Sequence, residues 1–227
     1  MTDRSKEEQK ANAEKIKAET RKVKAEAEAA EIKAKKEKIE LEKLMKAEEK
    51  IKASDTENCL YRFNGAVDKT TVVKCRQKLT QWSRMKPGTD MEIVFASPGG
   101  SITAGFELFD FIQQLRTAGH KITTGSLGMA ASMAGILLQA GEQRWIGHQS
   151  WILIHRASFG AIGKSFEIED EVAWIKRIEE RIINIFTTRS NLTSLKIKRN
   201  WDRKDWWINA DEALEMGLVD EIRGVMI

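Results

Sequence analysis

The chain has 227 residues, with 38 basic and 34 acidic side chains, a net charge of +4 and only two cysteines, Cys59 and Cys75. One or two domains fit that length and a disulfide-stapled mini-protein does not; so few cysteines suit a reducing, cytoplasmic setting. The opening MTDRSKEEQK has no apolar core and no run of about 18 apolar residues occurs, so neither a signal peptide nor a membrane span is expected.

Residues 1–53 hold 14 Lys and 2 Arg against 12 Glu and 1 Asp, and no Gly, Pro, Cys or aromatic residue. All 15 Gly and all 7 Trp fall in residues 54–227, so the composition break marks a domain boundary there. Ala, Lys and Glu favour one long helix, supported by i, i+4 pairs such as Lys15/Glu19 and Glu31/Lys35. A 3-4 seam runs through Ala13, Ile16, Thr20, Val23, Ala27, Ala30, Ala34, Glu37, Leu41, Leu44, Glu48 and Ile51. Nine of the twelve are apolar but four of those are Ala, a thin coiled-coil stripe that Ile32 and Ile39 miss. A solvated spacer and an oligomerisation or docking arm fit equally. Interleaved Glu argues against nucleic acid.

The second part alternates in type. Residues 59–67 read as a strand ending at a Gly turn, 69–85 as a helix, and 91–96 as a short apolar strand. A helix over 103–116, a strand over 120–125 and a small apolar helix over 129–140 follow. Two strands at 143–147 and 150–154 precede a long amphipathic helix over 164–190 and a capped helix over 210–216. Such alternation predicts an α/β fold with mostly parallel strands.

Three places combine small and polar residues. Ser97-Pro98-Gly99-Gly100 follows an apolar strand, where glycines can turn backbone N–H groups toward an anion or simply make a turn. Ser132 lies in Gly128-Met129-Ala130-Ala131-Ser132-Met133-Ala134-Gly135, where it serves either as an N-cap or as a nucleophile at a helix start. His155 ends an apolar strand 23 residues later. It reads either as a satisfied buried side chain or, if the serine needs a base, as the best placed one, whereas His120 and His148 sit in polar turns. The acid to orient it would come from Asp202, Asp205, Asp211 or Asp220, with Asp205 standing at a bend before Trp206-Trp207.

Over roughly residues 60–222 these motifs together resemble the ClpP family of Clp protease proteolytic subunits. Ser97–Gly105 is similar to its SPGG-x-ITAG segment, and Gly128–Met133 to its G-x-A-A-S-M nucleophile motif. Ile154-His155 resembles its histidine motif, and Ala210–Asp220 its C-terminal A-x-E-A-x-x-Y-G-L-x-D segment. The resemblance implies a ClpP/crotonase-like spiral of β-β-α units behind the charged helix. It implies a serine endopeptidase with Ser132 as nucleophile, His155 as base and Asp205 as acid. Gly100 and Met133 N–H groups would form the oxyanion hole, with neither metal nor cofactor. It further implies a heptameric homo-oligomeric ring acting on peptides or unfolded proteins, with helix 164–190 as the handle between rings.

Three departures stand out. Arg156-Ala157 replaces the usual Gln-Pro after the histidine, and Arg203-Lys204 replaces an Asp-Arg pair before the acid. The helix over 1–53 stands where the family has short axial loops. Two roles therefore compete: protein turnover with a Clp-type ATPase, and ATPase-independent processing of phage head or scaffold proteins, which the departures favour slightly. A crotonase-type acyl-CoA enzyme would share the fold but lack the Ser-His-Asp set, and a non-catalytic structural subunit would not need it.

Overall fold

The computed structural model describes residues 3–224, with the side chains of residues 10, 12 and from 14 onward. The chain divides between Ser54 and Asp55 into two units. The first is a single helix, α1 (Asp3–Lys52), whose 50 residues make it about 75 Å long. Its described side chains are exposed, including Ile16, Val23, Leu41, Leu44 and Ile51 of the seam. Ala13 begins that seam outside the described side chains. Pairs such as Lys35–Glu31 at 2.9 Å are also exposed and add only a few tenths of a kcal/mol each. The helix therefore rests on propensity and local pairing.

The second unit carries the sheet. Its elements are β1 (Leu60–Asn64), α2 (Lys69–Met85), β2 (Met91–Ser97), α3 (Ile102–Thr117) and β3 (Ile122–Ala131). They continue as α4 (Met133–Leu138), β4 (Gln143–Gly147), β5 (Trp151–Ile154), α5 (Ser165–Arg189), α6 (Ser194–Trp201), β6 (Trp206–Ile208), α7 (Ala210–Glu215) and β7 (Glu221–Arg223). The strand order is β1-β2-β3-β4-β7, with β5 pairing both β3 and β6. Every pairing is parallel except β5 with β6. This is the mixed α/β, mostly parallel arrangement expected from the alternation.

β2 explains why the centre is stable. It pairs on both edges, and Ile93, Val94 and Phe95 are buried in sequence, as a strand covered on both faces requires. α2 packs against β1 and α3 and buries Val72, Cys75, Leu79 and Trp82 at helical spacing. That helix starts in a capping box in which Asp68 accepts from the Thr71 N–H at 2.9 Å and the Thr71 hydroxyl accepts from the Asp68 N–H at 3.0 Å.

Two expectations need correction. The apolar stretch read as helix over 129–140 begins as strand, because Met129–Ala131 pair with Trp151–Leu153 of β5. Helix starts only at Met133. The stretch between α5 and α7, left without elements by the sequence, forms α6 and β6, with β7 beyond. Among the described residues no helix is long and apolar enough to cross a membrane, and no cluster of three His, Cys, Asp or Glu could hold a metal.

Candidate active site

Ser132 sits at the junction of β3 and α4. Its φ of 53° and ψ of −122° are unusual for a residue with a Cβ and cost on the order of 1–3 kcal/mol. The surroundings hold it there. Its N–H donates to Leu153 O on β5 at 2.9 Å, and α4 is buried along its whole length. Its side chain makes no capping bond. The Oγ instead forms a 2.7 Å hydrogen bond with His155 Nε2. The nucleophile and base candidates, 23 residues apart in sequence, meet because β3 and β5 run parallel and in register beneath them.

The Ser97–Gly100 loop closes the other side. Gly99 has φ 89°, and a Cβ there would lie 2.6 Å from Ser132 Cβ, so only glycine allows this approach. Val67, outside β1, anchors the loop: its N–H donates to Gly99 O at 2.8 Å and its O accepts from Ser101 N–H at 2.7 Å. Gly100 N–H has no hydrogen-bond partner among the described residues, and Met133 opens α4, so its N–H has no intrahelical acceptor. Both residues line a cavity of about 370 Å³ with Ser132 and His155. Its remaining wall is mostly apolar, from Ile102, Ile136, Ile154, Ile182 and Phe186.

The four acid candidates separate by location. Asp220 is engaged elsewhere: Arg144 Nη2 and Nε donate to its carboxylate at 2.6 and 3.1 Å. Burial opposes its ionisation, but Arg144 outweighs that and holds its pKa below the usual carboxylate value. Asp211 is exposed in the first turn of α7, and Asp202 follows the end of α6. Asp205 precedes β6, whose antiparallel register places Trp206 against Ile154. Extending that register one step sets Asp205 opposite His155. The two line one cavity, yet Asp205 is exposed and no hydrogen bond joins it to His155 among the described residues.

The other histidines have different settings. His120 is buried, its Nδ1 donating to Thr89 O at 2.9 Å and its Nε2 accepting from Ser83 Oγ at 2.8 Å; the carbonyl can only accept, which fixes the tautomer. His148 is half-buried between β4 and β5. One partnership went unread in the sequence: Arg156 donates to Glu179 on α5 through Nε and Nη2, both at 3.0 Å. Glu179 is buried, and this pair holds the Arg156 guanidinium above its ordinary pKa. A carboxylate on the apolar face of an amphipathic helix was the signal available.

Comparison with known proteins agrees with this architecture. The Clp protease family matches residues 55–225. The ATP-dependent Clp protease proteolytic subunit of Porphyromonas gingivalis is 33% identical over 158 residues, 69% of each chain. That of Bacteroides thetaiotaomicron is 34% identical over 158 residues, 69% of this chain and 70% of its own. ATP-dependent Clp protease proteolytic subunit 2 of Tropheryma whipplei is 37% identical over 139 residues, 60% of this chain and 75% of its own. A serine peptidase of Clp type is the class that fold and family define. The chain belongs to the Clp protease family.

Proposed function

We propose that the chain is an endopeptidase in which Ser132 attacks the peptide carbonyl, His155 takes its proton and Asp205 holds the imidazole. The observation that carries the reading is the 2.7 Å Ser132–His155 hydrogen bond inside an apolar-walled cavity. A neutral imidazole accepting at Nε2 removes the hydroxyl proton as the bond to carbon forms, then returns it to the departing amine. The Gly100 and Met133 N–H groups meet the developing oxyanion, where donors act before any reorganisation. Extending the β5–β6 register by one pair sets Asp205 opposite His155; the bond to Nδ1 would form on substrate binding, as such bonds commonly tighten only in that complex. Residues 54–227 form the peptidase domain in this reading, and residues 1–53 a separate arm.

The chamber belongs to the same proposal: copies of the chain form a ring, of heptameric type, around peptide or unfolded-protein substrate in the cytoplasm. Partnership with a Clp-type ATPase is the first form, supported by the relatives named ATP-dependent. Processing of phage head or scaffold proteins without an ATPase is the second, favoured by the arm and by Arg203-Lys204. The test is hydrolysis of an internally quenched apolar peptide by the full chain. Ser132→Ala and His155→Ala should each lower kcat/KM by about a thousandfold or more. Undiminished hydrolysis in either variant would contradict the reading.

A further inference from the structure

We propose that a basic rim beside His155 selects substrates carrying an acidic residue on the leaving-group side of the scissile bond. The proposal rests on the peptidase reading above and goes beyond it to specificity. A cavity of about 450 Å³ is lined on one wall by His155, Arg156 and Ser158, and on the other by Arg203, Lys204 and Asp205. Three cations thus face one carboxylate, and that carboxylate is assigned to His155.

The cations differ in freedom. Arg156 is clamped by buried Glu179 and also feels Asp202, so its charge is fixed in place and largely balanced. Arg203 and Lys204 are exposed and have neither ion pair nor hydrogen bond among the described residues. They are not on a loose tail. Arg203 adopts φ 56° in the turn after α6, and β6 follows in register with β5. The adjoining cavity holds no excess of carboxylates, with Arg156, Lys176, Lys198 and Arg199 against Glu179, Glu180 and Asp202. It therefore does not cancel the excess at the rim.

Chemistry gives the side. His155 Nε2 must hand its proton to the departing amine, so the segment that leaves passes His155. The acyl portion lies toward Gly100, Met133 and the apolar cavity. A carboxylate within the first three residues after the cleaved bond would meet Arg203 and Lys204.

Internally quenched peptides that differ at one position, bearing Glu, Ala or Lys, test this with the full chain at low salt; a second set varies the acyl side. Glu on the leaving side should exceed Lys in kcat/KM by about threefold to tenfold, with the ratio shrinking in high salt. Arg203→Ala/Lys204→Ala should flatten the ratio, and Arg203→Glu/Lys204→Glu should invert it. Each ratio is taken within one variant, so any damage to neighbouring Asp205 cancels. A wild-type ratio within about twofold, a ratio unmoved by either variant, or an acidic preference confined to the acyl side would overturn the proposal. Cleavage that persists in Ser132→Ala would instead overturn the peptidase reading, and the proposal with it.

Discussion

At the scale of single residues, chemistry was more legible than geometry. Locally Ser132 reads as a helix cap as well as a nucleophile and His155 as a buried side chain as well as a base, and the family motifs are what single them out. Their contact depends on the β3–β5 register, which no local pattern announces. Asp205 is one of four candidates that only the family resemblance separates, and in the structure it directly precedes β6, whose Trp206 pairs with Ile154 next to His155. On this account Asp205→Asn lowers the acylation rate by roughly 10⁴-fold with the fold retained, as loss of a triad carboxylate does. Asp202→Asn changes it less than about threefold, because Asp202 makes no ion pair among the described residues and acts on Arg156 only through a distant, solvent-screened charge. Single-turnover kinetics on both variants, with circular dichroism as the fold control, checks the contrast. The reverse order would place the acid at Asp202.

Among elements, strongly periodic segments were read well and strand ends poorly. α2 and α5 follow from their apolar spacing, with burial of Val72, Leu79, Ile178 and Ile182. β6 and β7 are three residues each, too short to show any period, and exist because β5 and β4 offer edges. β7 is locked by Asp220, just before it, to Arg144 on β4. Arg144 Nη1 also reaches Gln139 Oε1 at 2.7 Å and Arg189 O at 2.5 Å, so one buried guanidinium joins β4, α4 and α5. Because the Asp220 pKa is lowered on folding, its stabilisation is fully present above the unfolded carboxylate value near 4. It is lost as pH falls through the lower folded value. Asp220→Asn should cost about 1–3 kcal/mol at neutral pH, chiefly because Arg144 is left buried and poorly paired. It should also flatten the decline of the urea midpoint between about pH 5 and pH 2. A variant with an unchanged acid limb would show that Asp220 is not what ties β7 in place.

For the whole molecule, composition alone separated α1 from the rest, since a stretch dominated by Lys, Glu and Ala has too few large apolar residues to build a packed core. What the arm does was not legible, because four of the nine apolar residues of its stripe are Ala and its described large apolar residues are all exposed. If the seam pairs arms of different copies, helicity of residues 1–53 rises with peptide concentration. Helicity that is independent of concentration would reject self-association. Residues 54–227 should fold alone, because a chain of about 170 residues can bury most of its unfolded surface. If they cleave a short peptide as well as the full chain does but fail on a large protein substrate, the arm delivers substrate. Loss of both activities would assign it to assembly.

The central claim is that His155 activates Ser132, and intact mass spectrometry after exposure to a serine-directed phosphonate tests it most directly. The wild-type chain should gain one adduct, mapped to Ser132, and His155→Ala should gain it at least about 100-fold more slowly. Equal labelling of the two proteins, or an adduct on another residue, would contradict the account.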